Sequence, residues 1–462
     1  MRNFFVAFAT VAAVVAPQAQ AETLTDALIS AYRNSHLLEQ QQAVLRAADE
    51  DVAVAVSSLR PVIGYTISGA YANSDFRQTS PLTGVTVRGR ADSLSGTASL
   101  TAQILLYAGG RSRLGVEAAQ ESVLATRQAL VNVEQQVLLA AVTAYVDVRL
   151  QTEIVALRES NVRTIGQELR AAQDRFEVGE VTRTDVAQAE ASLALARASL
   201  SSAQGDLIMA REAYKAATGH YPGNLAPLPK SPITARNLDE ARSIALRTHP
   251  TIRQLQHQVK ASDISVAISK AAMLPTVSGS VGLNQGLDDG LTSKTIGLSV
   301  NQTLYGGGEL SALYRQSIAN KEAVRAALHQ QGVDVAEAVG NAWASISVAS
   351  AAIDASVSGV AAAQTAFDGV REEAKLGART TLDVLDAELD LLTARASRLE
   401  AEANRYLGTY TLLSAMGLLT VEHLNLGIPT YDPSAYYNAV KNAPVSLQGK
   451  KLDRVMEKLG KK

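Results

Sequence analysis

The apolar positions of this chain follow two rhythms, and each is used twice. From Leu24 to Leu59 helix formers dominate, with a break near Asn34-Ser35 and a stop at Pro61, which cannot continue a helical hydrogen-bond ladder. The rhythm then changes to period two. In 62–72, Ile63, Tyr65, Ile67 and Tyr71 fall on one face and Gly64, Thr66, Ser68 and Ala70 on the other. In 93–104, Leu94, Ala98, Leu100, Ala102 and Ile104 alternate with serine, threonine and glutamine. After Tyr107-Ala-Gly-Gly110 a helical pattern runs over 111–176. Val123, Leu130, Val137 and Ala144 recur every seven residues; after a shift of four, so do Val148, Val155, Val162, Leu169 and Phe176. Such heptads predict a left-handed coiled coil, and the shift a stutter that locally unwinds it. A glycine-bearing tip over 177–185 leads into a return helix from Thr184 to Thr218, with a heptad of Leu193, Leu200, Leu207 and Tyr214.

The whole pattern is duplicated. Leu24 to Pro61 aligns without a gap on Leu238 to Pro275 at an offset of 214, and Tyr107 to Gly219 on Tyr305 to Gly417 at an offset of 198. The offset drops between Pro61 and Tyr107, so the first copy carries 16 extra residues there, read as a longer loop. The chain thus divides into a first repeat, 22–219, a proline-bearing linker, 220–237, a second repeat, 238–417, and a tail, 418–462. Within the second repeat the pattern predicts strands at 276–284 and 294–303, a long helix at 309–374 and a tip at 375–383. The helix from Arg111 to Phe176 is about 100 Å long at ~1.5 Å per residue. The return helix and the segment Leu37 to Leu59 together come close to its length, 58 residues against 66, so they are expected to stack end to end beside it.

Residues 1–21 read as a secretory signal: Arg2, an apolar core from Phe4 to Val15, and Ala19-Gln20-Ala21 as a cleavage site. Beyond Glu22 no run approaches 18 uninterrupted apolar residues, so any membrane crossing is expected to use strands. Four strands of this length suit a tilted barrel wall. Four cannot close a barrel, however, and open edges in lipid leave backbone groups unsatisfied. Two chains would give a barrel of eight strands, filled by its own side chains, and three would give twelve, wide enough for a lumen. A formal charge of −2 makes no case for nucleic acid, and the absence of cysteine removes disulfides, thiolate metal sites and a cysteine nucleophile. The six histidines are scattered without metal-ligand spacing, and no cofactor or catalytic set is predicted. The glycine turns at 107–110 and 305–308 lack the lysine of a phosphate loop and read as strand-to-helix corners.

The remaining chemistry lies at the tips. Asp383 and Asp386, three apart, share one helix face near its start, where the dipole favours negative charge. Val178-Gly-Glu-Val-Thr-Arg-Thr-Asp-Val186 repeats the motif 198 residues earlier. With Gly377-Ala-Arg-Thr-Thr-Leu-Asp-Val-Leu-Asp386 and both Tyr-x-Gly-Gly corners, the chain resembles the TolC family of outer-membrane efflux and secretion channels. The resemblance implies a homotrimer, with a shared twelve-stranded outer-membrane barrel above a periplasmic helical tunnel. It further implies docking to a periplasmic adaptor and an inner-membrane pump of the RND or ABC kind. Asp383 and Asp386 would ring the constriction. Arg379 and Asp185 would latch neighbouring coils, and Gly179, Thr184, Gly377 and Thr380 would lie at the tips that an adaptor meets. Ala374 departs from the family, whose best-known member has a gate tyrosine there. The rival reading is a secreted coiled-coil structural or adhesive protein without a pore; an enzyme has no constellation behind it.

Overall fold

The computed structural model of the protein describes residues 21–232, 234–288 and 290–443. The signal sequence apart from Ala21, and the basic end of the tail, lie outside the described residues. Each repeat opens with two helices: α1 (Leu24–Asn34) and α2 (His36–Ser57), then, in the second copy, α5 (Leu238–Thr248) and α6 (Pro250–Ala271). Thr23 caps α1 in a reciprocal box with Asp26, and Ser35 restarts the chain as α2 by accepting from the Leu38 N–H at 3.3 Å. The long helices are α3 (Arg111–Glu177) and α7 (Glu309–Lys375), and their return helices α4 (Arg183–Thr218) and α8 (Thr381–Ala415).

The end-to-end stacking is present in both repeats. At the joint of α4 with α1–α2, Asn34 Nδ2 donates to the Thr218 carbonyl at 2.7 Å. At the equivalent joint Thr248 Oγ1 donates to the Met416 carbonyl at 2.7 Å. Satisfying a helix's last carbonyls with the neighbouring helix's side chain makes two short rods behave as one. The main apolar core lies at this level, where Leu24, Leu28, Leu138, Val142, Tyr145 and Leu413 are buried. The tail closes it: a short α9 (Pro433–Val440) packs on α2.

The heptads are only partly what is buried. Val123, Leu130, Val137, Ala144 and Val148 are buried as the spacing predicts, but Phe176 is 45% exposed. Along α4 the fully buried seam is Ala189, Ala196, Ala203 and Ala210, flanked by half-buried Leu193, Leu200 and Leu207. Alanine lets two helix backbones approach closely, so the leucines frame the contact instead of filling it.

The four strands form one antiparallel sheet in the order β1 (Val62–Thr79), β2 (Thr86–Tyr107), β3 (Thr276–Gly286), β4 (Thr292–Asn301). The β2–β3 ladder joins the two repeats. The register sets Tyr65 opposite Leu100, Leu100 opposite Leu283, and Val281 opposite Ile296, so one face is apolar across all four strands. The other face is polar, with Ser68 bonded to Thr97 and Ser278 to Ser299, each at 2.7 Å. From Leu94 to Ile104, at ~3.3 Å per residue and a ~40° tilt, the apolar band covers about 25 Å of membrane normal. Lys294 also falls on this face, near the β3–β4 turn, where a long side chain reaches headgroup level.

The longer loop expected of the first copy is instead mostly strand. β1 and β2 continue past 72 and 93 as a two-stranded ribbon, held by Asn73–Asp92 and by Arg90 Nε to Asp75 Oδ1 at 3.0 Å. Polar cross-strand pairs sustain a ladder as well as apolar ones, and they leave no period-two hydropathy signal.

Among the described residues two helices, α3 and α7, contain stretches long and apolar enough to cross a membrane, although no uninterrupted apolar run there approaches 18 residues. Alanine and valine raise the hydropathy. At about 100 Å, each helix is some three bilayers long, the length of a coiled-coil wall. Almost none of the apolar stretch of α7 is buried within the chain.

One buried charge distinguishes the repeats. In the second, Lys321 Nζ meets Asp263 at 2.9 Å. At the position matching Lys321 the first repeat has buried Val123, and Asp49, the counterpart of Asp263, is fully buried with neither oxygen hydrogen-bonded among the described residues. Burial pushes its carboxyl up to about 6, against the pull of Arg127 and with the push of Glu50. A folded pKa above the unfolded one means that the folded state holds the proton more tightly. Ionisation therefore costs stability as pH rises from about 4 through 6, and the full cost is present above that. Asp49→Asn is expected to gain ~1–3 kcal/mol at pH 8 and almost nothing at pH 4, read by thermal melts of the helical signal at both pH values. An equal gain at both would exclude ionisation as the cause.

Candidate functional site

Both long helices end the same way. Gly179 and Gly377 take left-handed backbone, φ 83° and 74°, so the chain turns without a Cβ clash. The turns are closed by the Glu180 N–H on the Arg175 carbonyl at 2.9 Å and the Ala378 N–H on the Glu373 carbonyl at 3.0 Å. Three residues later a threonine caps the return helix. At the second tip the Thr380 N–H and Oγ1 both donate to Asp383 Oδ2 at 2.9 Å, and the Asp383 N–H donates back to Thr380 Oγ1 at 3.2 Å. Thr182 and Asp185 form the same box at the first tip, at 2.8, 2.8 and 3.4 Å. Thr184 lies one step inside α4 and is exposed; the capping threonine, which the sequence reading missed, is Thr182.

These boxes change the chemistry of the aspartates. Hydrogen bonds from Thr380 hold the Asp383 carboxyl below its usual range, and those from Thr182 do the same for Asp185. Asp386 is exposed and has no partner among the described residues, so the pair is divided into one committed carboxylate and one free. Arg379 does not meet Asp185 within the chain. Its Nε pairs with Glu373 Oε2 at 2.9 Å, and that bond, with the nearby Asp383 charge, raises its proton affinity. Ala374 is buried against Phe367, Val384 and Leu391, and has no hydroxyl with which to bond.

Two ties between the hairpins were not expected from the sequence. Arg371 Nε meets Glu168 Oε1 at 3.0 Å, and Asn161 Nδ2 donates to buried Glu388 Oε1 at 3.1 Å. Burial raises the Glu388 carboxyl above its usual range, partly offset by the Asn161 bond and by Arg395 and Arg371. The signal was available. Glu388 interrupts the apolar face formed by Val384, Leu385, Leu391 and Leu392.

The tips, the sheet and the duplicated helices set the terms of comparison with known proteins. The family described as outer membrane efflux protein matches residues 27–220 and 241–418, one match to each repeat. The chain belongs to the outer membrane efflux protein family. BepC, an outer membrane efflux protein of Brucella suis biovar 1, is 38% identical over 434 residues, covering 92% of this chain and 91% of BepC. TolC of Escherichia coli K12 is 25% identical over 426 residues, 88% of this chain and 84% of TolC. The fold is also that of the Campylobacter jejuni CmeC outer membrane channel, with a TM-score of 0.74 at 18% identity over 92% of this chain and 90% of CmeC. As a member of the efflux family, the chain is an outer-membrane channel protein: an exit duct for efflux or type I secretion, with its helices in the periplasm.

Proposed function

We propose that three copies close a twelve-stranded barrel over a helical tunnel whose periplasmic mouth is shut by the two kinds of hairpin tip. The observation that carries this is the bare face of α7. With α8 it forms an open groove of about 930 Å³ in which Ala342, Ala349, Ala352, Ala401 and Gly408 admit a neighbouring helix at close range, and Asn341, Glu400 and Asn404 add polar groups to the same lining. In this assembly Asp383 and Asp386 ring the constriction. Arg379 either leaves Glu373 for Asp185 of a neighbouring copy or is shared between the two carboxylates. Gly179, Thr184, Gly377 and Thr380 face a periplasmic adaptor, which couples the duct to an RND or ABC pump. The cargo is toxic small molecules, secreted protein, or both.

A strain lacking the gene is expected to become sensitive to toxic compounds or to lose secreted proteins, and the wild-type gene to restore it. Purified Arg379→Ser is expected to conduct more than wild type in planar bilayers. An exposed pair is worth only ~0–1 kcal/mol, but three symmetric copies bias one two-state gate. Unchanged conductance in an intact trimer removes Arg379 from the latch.

A further inference from the structure

Beyond the apolar band, the lipid-facing side of the β1–β2 ribbon carries a ladder of charge. Successive cross-strand pairs on that side are Asn73–Asp92, Asp75–Arg90 and Arg77–Arg88. Arg90 is neutralised by Asp75 at 3.0 Å. Arg77 and Arg88 stand directly opposite each other, and among the described residues neither has a carboxylate partner. Like charges in opposed positions destabilise a ladder, so the pair costs the isolated ribbon stability. The ribbon is nevertheless stiffened from behind. On the opposite face the Phe76 ring covers Gly89 so closely that a Cβ there would lie 2.7 Å from it. Asp75, Phe76, Arg77, Arg88, Gly89 and Arg90 together line an open recess of about 510 Å³.

We propose that Arg77 and Arg88 form a binding site for phosphate groups on the glycolipid headgroups of the outer leaflet. The site is continuous with the lipid-facing band. At ~3.3 Å per residue and a ~40° tilt, the two arginines lie about 15 Å beyond its edge at Leu94, at the height of a tall phosphorylated sugar headgroup and above that of an ordinary phospholipid. Two guanidinium forks facing one way grip a phosphate bidentately and remove the like-charge repulsion. The inference rests on the outer-membrane placement of the sheet and is independent of the gate at the far end of the molecule.

The test uses the full-length protein in phosphatidylcholine nanodiscs doped with a glycolipid whose core sugars, beyond the acylated ones, carry phosphates, or with its dephosphorylated form, and counts retained lipid by native mass spectrometry. Arg77→Ser/Arg88→Ser is expected to lower retention of the phosphorylated form by about tenfold. The second variant, Arg88→Asp, places a carboxylate opposite Arg77 and strengthens the ribbon; it is expected to lose the lipid equally while the barrel keeps its resistance to heat in detergent. The dephosphorylated lipid is expected to bind weakly and alike to all three proteins. Three results overturn the proposal: unchanged retention in a variant with an intact barrel, equal retention of the two lipids by wild type, or displacement by inorganic phosphate at concentrations that mark a free-anion site.

Discussion

Leu100→Arg is expected to deplete the assembled protein from the outer membrane, while Ser99→Arg, one residue away, is expected to assemble and to alter conduction. Leu100 lies at the centre of the apolar face, opposite Tyr65 on one side and Leu283 on the other. A lipid-facing arginine near the bilayer midplane costs ~2–4 kcal/mol, and a symmetric barrel repeats that cost in every chain. Ser99 pairs with Thr66 and Asn284 on the polar face, where a guanidinium meets water instead of lipid. Quantifying heat-resistant oligomer in membrane fractions decides the matter. If Leu100→Arg assembled normally and Ser99→Arg did not, the two faces of the sheet would be assigned backwards.

Removing both tip aspartates is expected to abolish block by a trivalent cation applied from the periplasmic side and to lower cation preference, because a narrow ring of carboxylates concentrates cations. The capping box makes the single variants informative. Asp383→Ala also deletes the carboxylate half of the capping box, so its effects mix charge with local geometry. Asp386→Ala removes only charge, since Asp386 has no partner among the described residues. In that variant the remaining carboxylate is the one held below its usual range by Thr380. A depressed pKa keeps a group ionised to lower pH, so the residual cation preference of Asp386→Ala is expected to persist through mildly acidic conditions. Reversal potentials across a pH series measure this. Block that survives the double substitution would place the constriction elsewhere.

The duplication, the change from period-three-and-a-half to period-two patterning, the glycine corners and the tips are all legible in the sequence, because each is a local rule. A heptad seam or an alternating strand states its own geometry wherever it sits. Repetition at fixed offsets confirmed each element by its twin, down to Asn34–Thr218 and Thr248–Met416 at the two stacking joints. The apolar faces of all four strands could be assigned for the same reason: the pleat leaves only two choices per strand. Tertiary structure decided what depends on a partner far away in the chain. Alanines 189, 196, 203 and 210 became the buried seam of α4 because α3 comes close enough to exclude leucine. Asp49 lost the partner that its twin keeps because Val123 stands where Lys321 does. Asp383 became the partner of a capping threonine before it could be a free charge, and Glu388 found Asn161 across 227 residues of sequence. Periodicity reports which face of an element is covered; only packing reports what covers it, and polar contacts, which carry no periodic signal, are fixed at that stage.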